Sequence, residues 1–95
     1  MEIYITAIVK AKSEHREEVV YELKNVVGQS RKETANKQYN LHQCIEDKNT
    51  LTLYEAWIDE TGLDAHNEQP YFKALAPLFG KNSQEPPIIL LHNMI

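Results

Sequence analysis

Glu55, Trp57, His66, Tyr71 and Phe72 are the residues whose types and spacing point to chemistry. Leu51–Ile58 is rich in leucine, β-branched and aromatic residues and reads as a strand. It places Leu51, Leu53, Glu55 and Trp57 on one face and Thr52, Tyr54, Ala56 and Ile58 on the other. A carboxylate between leucines and the only tryptophan is costly in a sealed apolar layer. The cost falls if that face lines a pocket holding a partner for it, and His66 lies in the segment that follows. The plainer reading gives His66 a bond to a backbone carbonyl at a helix end and makes Trp57 and Phe72 core aromatics.

The elements that must position these groups follow from pattern. Glu2–Lys10 alternates, with Ile3, Ile5, Ala7 and Val9 on one face, and is apolar enough on both faces to be covered twice. Ser13 suits a helix N-cap, and Val19, Val20, Leu23, Val26, Val27 and Ser30 recur at helical spacing to about Arg31. Lys37–Ile45 reads as a second strand, with Tyr39, Leu41 and Gln43 opposing Asn40, His42 and Cys44. The polar turn Glu46–Asn49 then makes a hairpin with Leu51–Ile58. Thr61 with Asp64 resembles a capping box opening the helix that carries His66, and Pro70 suits the first turn of another through Tyr71, Phe72, Leu75 and Leu78. Pro77 predicts a kink or a break there, Gly80 a C-cap, and Lys81–Pro87 a loop before a last strand at Ile88–Leu91. The order βαββαβ predicts a ferredoxin-like α+β fold, a four-stranded antiparallel sheet with helices on one face, as one domain over residues 1–95. The other face needs cover, which predicts a homodimer.

Composition narrows the classes. A net charge of −4 argues against nucleic acid, and no apolar run reaches membrane-spanning length. The N-terminus lacks the pattern of a signal peptide, and the one cysteine, Cys44, fits a reducing compartment, so a cytoplasmic location is expected. No metal site is expected, since His42 and His66 lie on separate elements without further ligands and Cys44 stands alone; His15 and His92 read as surface or strand-end residues.

Ser30-Arg31-Lys32-Glu33, Tyr39-Asn40-Leu41-His42, Glu55-Ala56-Trp57, and Asp64-Ala65-His66 with Pro70-Tyr71-Phe72-Lys73-Ala74 together resemble the antibiotic biosynthesis monooxygenase (ABM) domain of the dimeric α+β barrel superfamily. The resemblance spans essentially the whole chain, departing at Thr34-Ala35-Asn36, where members often have Pro-Gly. It implies a homodimer with one pocket per subunit between sheet and helices. It also implies a cofactor-free monooxygenase that oxidises a small aromatic quinol or anthrone with O₂. Such an enzyme needs a base near neutral pH in a dry aromatic cavity, and imidazole titrates near 6.5. His66 is then the base and Glu55 its orienter. Trp57, Tyr71 and Phe72 are the substrate walls, with Tyr39, Asn40 and His42 as further substrate contacts; Asn40 and His42 fit a structural role at least as well. Haem-degrading relatives carry an Asn, Trp and His triad, and this chain has Thr6, His66 and Ala76 there. Alternatives from other classes are an isomerase of a small carbonyl compound and a non-catalytic dimer that binds a small molecule.

Overall fold

The computed structural model describes all residues from Met1 to Ile95. Four strands, β1 (Ile3–Lys10), β2 (Asn36–Gln43), β3 (Thr50–Trp57) and β4 (Ile88–His92), form one antiparallel sheet in the order β2-β3-β1-β4. A 3₁₀ turn at Ser13–His15 leads into α1 (Arg16–Ser30), and α2 (Glu60–Asn67), α3 (Pro70–Lys73) and α4 (Leu75–Asn82) connect β3 to β4. This is the expected ferredoxin-like α+β arrangement.

Strand register shows why the pattern works. Ile3, Ile5, Ala7 and Val9 of β1 face Trp57, Glu55, Leu53 and Leu51 of β3 pair by pair, and Tyr39 of β2 faces Glu55. Paired residues share a sheet face, so these side chains form one layer. Val19, Leu23, Val26 and Val27 of α1 pack on it with Leu63 of α2 and Leu75 of α4 to form the core. Arg31 fixes the end of α1 to β2, donating from Nε to the Tyr39 carbonyl at 2.9 Å and from its terminal nitrogen to Asn40 Oδ1 at 3.0 Å.

Several helix boundaries differ from the sequence reading. Ser13 begins the 3₁₀ turn and accepts from Asn49 Nδ2 at 2.8 Å instead of capping α1. Asp59, not Thr61, caps α2, its carboxylate accepting from the Gly62 amide at 2.8 Å. The helix after α2 is broken as expected, but the break falls at Ala74, between α3 and α4, ahead of Pro77. Pro70 opens α3 as expected, whereas Pro77 sits in the first turn of α4, where a missing N–H costs little. Gly80 lies inside α4, which runs to Asn82 and ends at Ser83.

Gly62 allows α2 to approach the loop before β2: a Cβ built there would overlap Ala35 Cβ. Gly62→Ala is therefore expected to push α2 outward and cost about 1–3 kcal/mol in urea unfolding. His66 rides on the same helix, so activity should fall with stability.

Candidate active site

Between the sheet and α2–α4 lies a cavity of about 290 Å³, walled by Ile5, Ala7 and Leu53 from the sheet and by Leu63, Phe72, Leu75 and Phe79 from the helices. Tyr39, Glu55 and His66 line it as well. Ile89 and Leu91 of β4 complete the wall yet are 54% and 60% exposed, so the cavity opens on the β4 side. A larger hollow of about 610 Å³ between α1 and Gln43 is edged by Arg16, Glu17 and Lys24, with no buried titratable group.

His66 is only 1% exposed and is surrounded by aromatic rings. Trp57 and Phe72 approach it with centroids at 4.4 and 4.6 Å, and Tyr39 and Tyr71 at 5.8 and 6.0 Å. Its Nδ1 lies 2.7 Å from Glu33 Oε2, the oxygen to which the Tyr71 hydroxyl also donates. Tyr71 sits in addition 3.2 Å from Ser30 Oγ. A carboxylate facing Nδ1 favours the tautomer with the proton on Nδ1, leaving the Nε2 lone pair free. Nε2 is sealed from solvent and has no hydrogen-bond partner in the protein. Burial lowers the His66 pKa, opposed by the Glu33 carboxylate, so the ring is neutral at pH 7.

Glu55 does not orient His66, contrary to the expectation from sequence. Its Oε1 accepts from the Trp57 indole N–H at 3.0 Å, the natural outcome for two residues two apart on one strand face. The orienting carboxylate is Glu33, which sequence reasoning missed as a site residue. It lies just past the end of α1, far from His66 in the chain. Only the Ser30–Glu33 stretch already singled out by resemblance drew attention to it.

The other candidates divide three ways. Tyr39 and Phe72 line the cavity. Trp57 and Tyr71 stand behind His66, one against its ring and the other against its carboxylate. Asn40 and His42 are outside the site altogether. Their partners across the hairpin are Tyr54 and Thr52, on the face away from the helices, where His42 packs against Tyr54 at 4.9 Å. No cluster of three or more His, Cys, Asp or Glu residues has the geometry to hold a metal ion.

Glu55 is 7% exposed, and burial pushes its pKa up to about 7, with the Trp57 indole pulling the other way. Folded Glu55 thus keeps its proton to about pH 7, whereas its ordinary value is 4.5. Its contribution is fully present below 4.5 and is lost as pH rises through about 7. His66 runs the opposite way: its contribution is present above 6.5 and is lost as pH falls through its lowered value. Glu55→Gln isolates the first effect. Relative to wild type, the variant should gain up to about 3 kcal/mol between acidic and mildly alkaline pH, measured from urea midpoints on both sides of the window.

The architecture is a ferredoxin-like α+β sheet roofed by short helices over an apolar cavity. More narrowly, the chain belongs to the antibiotic biosynthesis monooxygenase family, whose model matches residues 2–78. Over 71 residues it is 38% identical to the "Putative monooxygenase YcnE" of Bacillus subtilis (strain 168), covering 75% of each chain. It superposes on PA3566 from Pseudomonas aeruginosa with a TM-score of 0.92 at 26% identity, covering 99% of this chain and 94% of that one. Rv0793 from Mycobacterium tuberculosis shares the fold with a TM-score of 0.94 at 17% identity, over 100% and 96% of the two chains.

Proposed function

We propose that the chain is a cofactor-independent monooxygenase of small aromatic quinols or anthrones, with His66 as the base. The observation that carries this reading is an anchored, neutral imidazole. Glu33 holds Nδ1 at 2.7 Å, while the ring lines an apolar cavity with Nε2 unpartnered.

Nε2 accepts the hydroxyl proton of a quinol, and Glu33 stabilises the imidazolium that forms. The quinol anion passes one electron to O₂, and the resulting radical pair joins at a ring carbon as a hydroperoxide. Loss of water leaves a hydroxyquinone, so one quinol and one O₂ give one hydroxyquinone and one water. An anthrone follows the same course, its methylene becoming a carbonyl with release of water. An apolar, aromatic-lined cavity favours this chemistry by keeping bulk water from the anion and the radical pair. At about 290 Å³ the cavity is near the lower bound for ligand pockets, which restricts substrates to small ring systems. For ligand to reach Nε2 a neighbour must yield, and α3 is the weakest wall, four residues with none fully buried. The test is oxygen uptake by metal-free protein on reduced naphthoquinones and anthrones, with His66→Ala as control. No excess over the control across the panel contradicts the reading.

The sealing of Nε2 from solvent favours a second reading, in which the cavity binds a small hydrophobic metabolite without turnover. Thermal stabilisation by aromatic ligands with no oxygen uptake would be its signature.

The reading also includes a homodimer. The sheet face away from the helices presents Tyr4, Ile8, Tyr54, Ile88 and Leu90, with Tyr54, Ile88 and Leu90 more than 40% exposed. Such a face fits a second copy stacked sheet on sheet. Sedimentation equilibrium is expected to give twice the 11.0 kDa chain mass, and Leu90→Glu to shift it toward the monomer. No helix is long and apolar enough to cross a membrane, and a cytoplasmic small-molecule role suits the reading.

A further inference from the structure

Glu33 holds the base, yet little holds Glu33. It lies in the turn between α1 and β2, its side chain 16% exposed, with no lysine or arginine in ion-pairing reach. A neutral imidazole offers this carboxylate a single N–H, whereas solvent offers it full hydration. One further side chain bonds it. The Tyr71 hydroxyl donates to Oε2, the same oxygen that faces Nδ1.

The neighbours of Tyr71 aim its proton. Its hydroxyl oxygen is 3.2 Å from Ser30 Oγ, and Ser30 is fully buried at the end of α1. The same oxygen is 3.3 Å from His66 Nδ1. With its proton committed to Glu33, the hydroxyl can only accept from the Ser30 O–H and from Nδ1–H. Ser30, Tyr71, Glu33 and His66 thus form one directed chain across α1, α3 and α2, and the chain is complete only with the His66 proton on Nδ1. Burial and then the bond to Glu33 push the Tyr71 pKa up to about 12, so the hydroxyl keeps its proton at neutral pH.

We propose that Tyr71 is a positioning residue for the base: it clamps the Glu33 carboxylate against Nδ1 and so fixes the His66 tautomer that leaves Nε2 bare in the cavity. The role rests on the reading of His66 as the base, and Tyr71 itself moves no reacting proton. Without the hydroxyl the carboxylate is free to turn to water. The ring can then carry its proton on Nε2, where it cannot accept one from a substrate. No other group around the ring replaces the clamp. Tyr39 of β2 approaches His66 with its ring at 5.8 Å, and Glu55 of β3 is bonded to the Trp57 indole. β1, β4 and α4 present only apolar side chains to the cavity.

The test reads the ring itself, so it holds whether or not the protein turns over. In protein labelled with ¹⁵N at its four histidines, His66 is the signal missing from His66→Ala. Wild type is expected to show Nδ1 protonated and Nε2 bare at pH above the titration. Tyr71→Phe keeps the ring and its packing, so it should fold. It is expected to show mixed tautomers and a lower titration midpoint, because Glu33 is what holds the His66 pKa up. With a turned-over substrate, kcat/KM should fall about threefold to tenfold. Added to Glu33→Gln, Tyr71→Phe should leave the midpoint where Glu33→Gln alone puts it, since it acts through that carboxylate. A His66 unchanged in tautomer or in midpoint by Tyr71→Phe overturns the proposal. So does a midpoint shift of the same size in the Glu33→Gln background, which marks a direct effect on the ring. Mixed tautomers in Tyr71→Phe with no oxygen uptake by wild type would instead overturn the monooxygenase reading and leave the clamp standing.

Discussion

His66→Ala is expected to lower oxygen uptake on a reduced naphthoquinone by about 10²-fold to 10⁴-fold, with the sheet and the far-ultraviolet circular dichroism unchanged. The size follows from what the imidazole does. Without a base the cavity must bind a substrate that is already ionised, and an apolar wall disfavours the anion in its ground state. The variant should still bind aromatic ligands, because Phe72, Leu75 and the strand residues that wall the cavity remain. A loss confined to kcat, with little change in KM, marks removal of a group that acts in the transition state. Removing the ring also takes one of two donors from Glu33 Oε2, leaving Tyr71, and opens a gap beside Trp57 and Phe72, so a stability loss of about 2–4 kcal/mol accompanies it. Activity must therefore be compared at a temperature where both proteins are folded.

Glu33→Gln should lower kcat/KM by about 10-fold to 100-fold and move the acid limb of the pH profile. The amide can still accept from Nδ1–H and from Tyr71, so the ring stays in place, but the negative charge that stabilises the imidazolium is gone. Glu33 is what holds the His66 pKa up against burial. Without that charge the pKa falls further, so the acid limb shifts to lower pH while the plateau rate drops. A merely structural role for Glu33 would lower activity without displacing the limb, so the pH profile of free-enzyme kcat/KM separates the two.

Much of the fold was legible because alternation and helical spacing report burial directly. Ile5, Ala7, Val9, Leu51, Leu53 and Trp57 were placed on one face by period two alone, and that face carries the core. Val19, Leu23, Val26, Val27 and Ser30 were equally plain in α1. Which face the helices cover was harder in β2. Only Tyr39 is fully buried there, so the pattern left Asn40 and His42 free to go either way. Helix ends were misread where caps compete. Asp59 precedes Thr61, and either can cap α2; the carboxylate that reaches the Gly62 amide prevails.

The site was legible in its members and illegible in its pairing. His66, Tyr39 and Phe72 do share one cavity, and Glu55 is in it. Spacing could not say that the helix carrying His66 packs against the end of α1, where Glu33 waits. A bond between residues 33 and 66 is fixed by tertiary packing, whereas the Glu55–Trp57 bond is local and could have been anticipated from the strand period. The carboxylate nearest in pattern, Glu55, is bonded by Trp57, and the one at His66 is Glu33.

On the proposed mechanism, His66 initiates oxygen insertion without a cofactor. The most direct measurement is mass spectrometry of the product formed by metal-free protein under ¹⁸O₂, on whichever quinol or anthrone gives uptake in excess of His66→Ala. The expected result is one labelled oxygen atom in the product, formed faster than with His66→Ala, with the second atom in water. An unlabelled quinone with hydrogen peroxide, or the same labelled product at equal rate from His66→Ala, would contradict it.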